Sequence, residues 1–417
     1  MNERDTEGWS RRDLLKSAAT GGVLVGLGAV VLDRMDRYIV GAREADAATA
    51  AASVSDVHHE RIELGGDSPL TLIVGAYSET SSQSLRTRED VAFVQRDRRL
   101  TLYSTPGDAT SDRATAGDQI LPWGIDRVDA DVAHDEGAKG EGVHVGIIDS
   151  GIDASHPDIE ANLADPSDDG NHRAWAECRG EDCTHPWSDD GGHGTHVAGT
   201  VAARAGDGGI VGVAPDATLH ALKVCGAGGG CRTSDIVAAI RYAADQGWDV
   251  VNLSLGSAQP SPALQAAGQY ARGAGTLLVA AAGNRGQPDS VGYPAAYDEF
   301  VAVSATDIDD EIASFSSTGP EVDIAAPGKG VCSALVDGYG VRDGTSMASP
   351  HVTGAVAQLL AAGYSPEAAL EELAATAEDL GLTSDEQGAG LLDVAASLGY
   401  DSGDDGTGDG TSCPPGA

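Results

Sequence analysis

Three residues of complementary chemistry stand in short motifs along the chain. Asp149 follows the apolar run 143–148 and opens the turn Asp149-Ser150-Gly151. A carboxylate at a strand end is by itself a common turn former or helix cap. His193 lies in Gly191-Gly192-His193-Gly194-Thr195-His196, where the flanking glycines permit close backbone approach and leave the imidazole accessible. Ser346 lies in Gly344-Thr345-Ser346-Met347-Ala348-Ser349-Pro350, at a predicted helix start. A serine there is ordinarily an N-cap; as a nucleophile it would have its own N–H and the helix dipole directed at a developing oxyanion. A carboxylate, an imidazole and a hydroxyl are together the parts of an acyl-transfer triad, here in the chain order Asp, His, Ser. His196, one turn after His193, raises the idea of a metal pair. The adjacent Glu of a helical zinc motif is absent, so a core role is the better reading.

Those residues need a frame that brings three distant segments together. Between 119 and 398, apolar runs at 143–148, 217–223, 248–253, 276–281, 300–305 and 322–325 alternate with helical patterns at 194–204, 233–246, 261–273, 346–361 and 366–376. The alternation predicts an α/β domain, a mostly parallel sheet flanked by helices, with its ligand site outside the carboxyl ends of the strands. Ahead of it, 53–105 carries strand-like runs such as 70–74 and 91–94 and predicts a small α+β domain. The stretch 106–118, rich in Thr, Ser, Asp and Gly, reads as an exposed linker open to proteolysis, and 399–417 as a disordered acidic tail.

The chain carries 26 basic and 65 acidic residues, a formal net charge of −39, and only four lysines. Most of the imbalance falls on 119–417, with 12 basic and 46 acidic residues. Such a field excludes a non-specific grip on nucleic acid or on an anionic membrane. Surface acids at that density repel one another unless salt screens them, so the composition suits a highly saline medium. Aromatics make up 4% of the residues and glycines number 56, which leaves Val, Ile, Leu and Ala to fill the core.

Residues 1–50 read as a targeting region. Ser10-Arg11-Arg12-Asp13-Leu14-Leu15-Lys16 sets a twin arginine before the uncharged stretch Ser17 to Leu32. This resembles a twin-arginine (Tat) export signal, which implies the Tat machinery as a partner and a secreted, extracellular product. Ala45-Asp46-Ala47 and Ala48-Thr49-Ala50 are candidate cleavage sites; an uncleaved signal would instead leave a membrane anchor. In an exported chain, local disulfides Cys178–Cys183 and Cys225–Cys231 fit the spacing, and neither pair has the CxxC spacing of a metal site. Cys332 and Cys413 are either a long bridge that holds the tail or two free thiols.

The segments around the three motif residues resemble one family closely. They read Asp-Ser-Gly-Ile-Asp at 149–153, His-Gly-Thr-His-Val-Ala-Gly-Thr at 193–200 and Gly-Thr-Ser-Met-Ala-Ser-Pro-His-Val at 344–352. The family is the subtilisin-like serine peptidases, or subtilases, and the resemblance covers about 119–398. The acidic composition and the Tat-like signal further resemble the secreted halolysin-type members, although the long C-terminal extension typical of those is missing.

The resemblance implies a monomeric serine endopeptidase that acts on proteins and peptides through an acyl-enzyme. Ser346 would be the nucleophile, His193 the base and then the acid, and Asp149 the residue that orients the imidazole. Asn284, in Ala281-Ala282-Gly283-Asn284, would donate to the oxyanion. Ser254, Leu255 and Gly256 would pair with substrate and form one wall of the primary pocket. Ala281, Ala282 and Gly283 would form the other, with Gly292 at the base leaving room for large apolar side chains. Arg285 is either a solvated cation or a source of acidic preference at the rim. Structural Ca2+ is implied too: Gln119 and Asp158 match two ligands of one site, with Asp207 standing in for the Asn usually found in that loop. Glu321 and Asp323 match a second, weaker site. The region 53–105 resembles the family's inhibitory propeptide, so the enzyme would be a zymogen with its own propeptide as intramolecular inhibitor. Two rivals fit less well: a non-catalytic peptide-binding relative would lack a triad member, and a lipid or ester hydrolase would carry a GxSxG elbow that 344–348 does not match.

Overall fold

Short β-branched and apolar runs in the N-terminal segment pair into a four-stranded sheet, in the order β2-β3-β1-β4. Its strands are β1 (Asp36–Ala42), β2 (Val57–Leu64), β3 (Leu70–Tyr77) and β4 (Val91–Arg96), with β1 antiparallel to both β3 and β4. Helix α1 (Ala45–Ser53) lays Ala47, Ala48 and Ala51 on the sheet beside Tyr38 and Ile73, and α2 (Glu79–Arg86) contributes Leu85 to the same core. The computed structural model describes residues 36–66, 69–103, 109–110, 119–168, 170–180, 183–206, 208–402 and 413. These fall into two compact units, 36–63 with 70–97, and 64–69 with 98–417.

The small unit therefore includes β1 and α1, which begin ahead of residue 53, where the sequence placed its beginning. The small residues at 45–50, expected as cleavage sites, are a helix whose alanines let it approach β1 and β3 closely. The twin-arginine segment lies outside the described residues. Among those residues no helix is long and apolar enough to cross a membrane.

The second unit is built on a seven-stranded sheet. Two short strands come first, β5 (Arg99–Leu102) and β6 (Ala109–Thr110). The sheet strands are β7 (His144–Asp149), β8 (Arg173–Ala174), β9 (Thr218–Lys223), β11 (Val250–Leu253), β13 (Leu277–Ala281), β14 (Val301–Thr306) and β15 (Ile324–Pro327). All their registered pairings are parallel, in the order β15-β14-β13-β11-β7-β9-β8. Strands buried on both faces read as continuous apolar runs, as β13 does. The chain builds outward from β7 to β9, then crosses to β11 on the other side of β7. In open α/β sheets this reversal opens a crevice at the carboxyl ends.

Helices α3 (His193–Ala202) and α6 (Thr345–Ala361) pack together, and α6 runs across β11, β13, β14 and β15. A second pair, α4 (Thr233–Gln246) and α5 (Pro262–Ala274), packs against β7 and β13 respectively, and α7 (Pro366–Thr376) rests on α6. Every residue of α3 is buried, so it passes through the core rather than over it. The sequence did not reveal the short pieces β10 (Gly230–Arg232) and β12 (Leu255–Gly256), or the hairpin of β16 (Val331–Leu335) and β17 (Gly338–Arg342). Two to five residues carry too little periodicity to register as strands. Cysteines pair as Cys178–Cys183, Cys225–Cys231 and Cys332–Cys413. The last bridge ties the tail to β16, and Cys413 packs against the core, which corrects the expectation of a wholly disordered tail.

With three Phe and five Trp in the chain, imidazoles take over part of the aromatic packing. His172 stacks on Trp187 at 4.1 Å and His220 on Trp248 at 3.9 Å between ring centroids. Burial holds both histidines below their usual pKa, His220 at about 3, and does the same to His351, at about 4, and to His134 and His196. A histidine whose folded pKa is lowered stabilises fully above the unfolded value near 6.5 and loses that contribution as pH falls below it. Ordinary carboxylates, titrating near 4, stay charged through this window. At pH 5 His220 and His351 alone should remove roughly 4 kcal/mol. The melting temperature of the Ser346→Ala protein at constant salt should thus drop by on the order of 10 °C between pH 7.5 and 5. An unchanged midpoint would show that these rings take up protons without loss of packing.

Candidate active site

At the crevice between β7 and β11 the residues that follow each strand converge. Asp149, last in β7, is buried; its Oδ1 accepts from His193 Nδ1 at 2.7 Å and from Ser150 N at 2.6 Å. His193 opens α3. The helix comes this close because Gly194 lacks a Cβ, which would collide with Gly151 O and lie 3.1 Å from Asp149 Cβ. Nε2 of His193 is buried and has no hydrogen-bond partner among the described residues.

One carboxylate that sequence reasoning missed holds this corner. Asp189 is 1% exposed and accepts five hydrogen bonds. Oδ1 takes Ser150 Oγ at 2.8 Å and the N–H groups of Gly191 and Gly192 at 2.9 Å; Oδ2 takes Thr195 N at 2.9 Å and Thr195 Oγ1 at 2.7 Å. It thereby joins the turn after Asp149 to the first turn of α3, whose free N–H groups need acceptors. Ser150 Oγ in turn accepts from Gly194 N at 2.9 Å. Beside it the buried Lys223 pairs with Asp190 at 2.6 Å and donates to Ser150 O. An acid four residues before a histidine carries no signal in so acidic a chain.

Ser346 is the second residue of α6. Pro350 sits inside that helix and has no N–H to give to the carbonyl four residues back. Ser254 Oγ, just past β11, supplies the bond to Ser346 O at 2.9 Å, while Ser254 O accepts from Ser346 Oγ at 2.8 Å. Asn284 follows β13 and the turn at Gly283. Its Oδ1 is held by Thr345 N at 3.0 Å and Thr345 Oγ1 at 2.9 Å, which turns Nδ2 the other way.

The groove beside these residues is filled by the chain's own segment 99–103. Strand β5 lies between β10 and β12 and is antiparallel to both, with Leu100 opposite Cys231 and Leu102 opposite Leu255. The Cys225–Cys231 bridge anchors β10, a wall that the sequence reading did not include. Tyr103 N lies 3.3 Å from Ser254 O and 3.1 Å from Ser346 Oγ. Tyr103 O accepts from Asn284 Nδ2 at 2.8 Å and from Ser346 N at 3.4 Å. Its phenol enters the pocket of Leu255–Gly256 and Ala281–Gly283; a Cβ on Gly256 or Gly292 would come within 2.6 or 2.5 Å of the Tyr103 oxygen. Burial pushes that phenol's pKa up to about 12. Arg285 is turned back on Ser290 O at 2.8 Å. Tyr103 had a signal in the sequence, as the last apolar residue before the polar linker.

Two of the expected cation ligands reach the same loop. Gln119 Nε2 donates to Arg204 O at 3.2 Å and Ile210 O at 3.1 Å, and Asp158 Oδ2 accepts from Ile210 N at 2.9 Å and Tyr339 Oη at 2.8 Å. A carboxylate, two main-chain carbonyls and, once the Gln119 amide is turned so that Oε1 replaces Nε2, a carboxamide are the hard oxygens that calcium takes, so the residue types fit the ion. Asp207 lies outside the described residues. Glu321 and Asp323 line a cavity of about 380 Å3 together with Arg272. Asp323 Oδ2 accepts from Ala302 N, and burial raises its pKa, while that bond and the Arg272 charge act the other way; the Arg272 guanidinium itself donates to Asp298 O at 2.8 Å.

A parallel sheet with an Asp–His pair and a serine at its carboxyl edge defines a hydrolytic α/β enzyme. Residues 140–390 match the model of the subtilase family (peptidase S8). The chain is 36% identical over 371 residues to subtilisin E of Bacillus subtilis (strain 168), covering 86% of this chain and 90% of that protein. It is 41% identical over 284 residues to subtilisin of Bacillus pumilus and 43% over 282 to subtilisin Savinase of Lederbergia lenta, each covering 67% of this chain and 98% of the relative. The chain belongs to the subtilase family and is a subtilisin-like serine endopeptidase.

Replacing Asp189 tests whether it acts through His193. Asp189→Ala should lower kcat by on the order of 10² at nearly constant KM, because a catalytic group about 1 Å out of place loses that much. A variant that merely melts earlier, with kcat unchanged at low temperature, would show that the start of α3 keeps its position without this acceptor.

Proposed function

We propose that the protein is a secreted, salt-adapted zymogen whose endopeptidase site first cuts its own chain between Tyr103 and Ser104. The observation that carries this reading is the Tyr103 carbonyl, which accepts from Asn284 Nδ2 and Ser346 N while its strand is paired on both sides. In the proposed reaction the Ser346 hydroxyl turns from Ser254 O toward His193 Nε2 and attacks the Tyr103 carbonyl carbon. His193 takes the hydroxyl proton, and Asp149 stabilises the resulting imidazolium. The oxyanion keeps the two donors that the carbonyl already has. Collapse breaks the Tyr103–Ser104 bond, and the Ser104 amine leaves with the proton from His193. Water, deprotonated by His193, then hydrolyses the Tyr103 ester on Ser346.

The cut leaves β5 in the acyl side of the groove, so the N-terminal unit with 99–103 would remain as an inhibitor until it is removed. Protein substrates would enter as the same antiparallel strand, with a large apolar or aromatic residue before the cut. Gln119, Asp158 and the carbonyls of Arg204 and Ile210 would hold a calcium ion, whose charge would lock this loop in its folded position. The twin arginine at 11–12 supports Tat export, and the 46 acids against 12 basic residues in 119–417 support a saline working medium.

Expression of Ser346→Ala in a peptidase-free host, with intact-mass and N-terminal analysis, tests the reading. The variant should keep the Tyr103–Ser104 bond, whereas the parent should yield a fragment ending at Tyr103. Cleavage of the variant at that bond, or a parent processed elsewhere with this bond intact, would overturn it. Asn284→Ala should lower kcat on peptide substrates by about 10²–10³ with little change in KM, since its donor matters most where charge develops. A rise in KM at constant kcat would instead assign Asn284 to ground-state binding.

A further inference from the structure

The groove continues past the proposed cut, and its far side carries an unusual charge. The chain leaves Tyr103 at the oxyanion donors and is next described at Ala109–Thr110, where β6 pairs antiparallel with β17, Thr110 opposite Tyr339 and Ala109 opposite Gly340. The edge of β17 is thus the track for the leaving side of a bound chain. Arg342 ends β17, four residues before Ser346. It lines a cavity of about 260 Å3 with Gly191, Gly192, Leu335, Val336 and Arg179, beside the start of α3.

Basic residues are scarce here, 26 against 65 acidic ones, and two that the fold takes inside have acidic partners, Arg127 with Asp310 and Lys223 with Asp190. Arg342 makes no ion pair among the described residues. Its contact is a long one, from a terminal guanidinium nitrogen to Gly191 O at 3.4 Å. Two carboxylates line the same cavity, but their oxygens already accept from the wall. Asp189 takes five donors; Asp190 takes Lys223 Nζ at 2.6 Å on one oxygen and Arg179 N at 2.8 Å on the other. The Arg179 side chain at the rim is paired with Glu177. Burial lowers the pKa of Arg342, while Asp189 and Asp149 act the other way. Those carboxylates keep their charge, but their lone pairs are taken, so the group left to bond an incoming chain is the partly desolvated guanidinium fork, whose hydrogen-bonding complement is a carboxylate.

We propose that Arg342 is a specificity residue that selects substrates with Asp or Glu at one of the first two positions after the cut. Side chains of an extended peptide alternate between faces, so one of the two positions reaches Arg342 and the other points away. This rests on the reading that places the cut after Tyr103. It would also suit substrates drawn from an acidic protein population, where a carboxylate near any given bond is common.

The test uses the mature enzyme and internally quenched peptides with Tyr before the cut. Two series carry Glu, Gln or Lys at the first or at the second following position. At one position kcat/KM for Glu should exceed that for Gln by about tenfold or more, as a charge-assisted hydrogen bond in a partly dry site supplies. Lys should be the poorest there, and the other position should be indifferent. In Arg342→Gln the Glu-to-Gln ratio should collapse toward one, and Arg342→Glu should reverse the order of Glu and Lys. Equal rates for Glu and Gln at both positions in the parent enzyme would overturn the proposal, as would a Glu preference that survives in Arg342→Gln. Failure to cut after Tyr in any peptide would count against the assignment of the cut itself, and so separates the two ideas. Should a variant not fold, the parent series alone decides.

Discussion

The seating of α6 on the end of β11 is the constraint on which the rest of the site depends. Pro350 leaves the Ser346 carbonyl without its helical donor, and Ser254 Oγ fills that place at 2.9 Å. The same Ser254 presents its own carbonyl to Ser346 Oγ and to Tyr103 N. A single residue at a strand end thus positions the nucleophile, the helix behind it and the first main-chain bond of a bound chain. Thr345 extends the arrangement by turning the Asn284 amide so that its N–H group faces the carbonyl in the groove. A buried helix interrupted by proline would ordinarily be a liability. In this fold the interruption provides the attachment point.

A second theme is how charge is handled in a strongly acidic protein. The acids nearest the site, buried Asp149 and Asp189 and half-buried Asp190, accept from imidazole, main-chain amides, hydroxyls and one buried lysine. Burial without such donors would be prohibitive. The surface imbalance and the buried carboxylates therefore answer to different physics. The first is screened by salt, while the second is neutralised locally and shielded from salt by burial. Arg342 stands apart from both groups as a cation with no ion pair among the described residues, in the field of Asp189 and Asp149.

Close packing of small residues makes these approaches possible. Gly194 lets α3 touch the Asp149 turn, Gly256 and Gly292 make room for an aromatic side chain, and alanines seat α1 on its sheet. Stacked imidazole and indole rings then supply bulk in a chain with little phenylalanine. That packing ties folding to pH through histidines that must remain neutral.

The α/β alternation, the parallel sheet and the motifs around Asp149, His193, Ser346 and Asn284 were legible in the sequence, because long apolar runs and glycine-flanked polar residues are local signals. The family resemblance rested on those same motifs. Tertiary structure alone decided where 99–103 lies, since a four-residue strand is recognisable only once β10 and β12 stand on either side of it. It decided that Asp189, one acid among 65, gathers five donors, and that Arg342 faces a cavity without a carboxylate partner among the described residues. It also brought 36–42 into the small unit, because β1 pairs with β3 and β4 across a separation that no local pattern records. Local chemistry is written in neighbouring residues, whereas the partner of a buried charge or a short strand is set by distant segments that meet only in the folded chain.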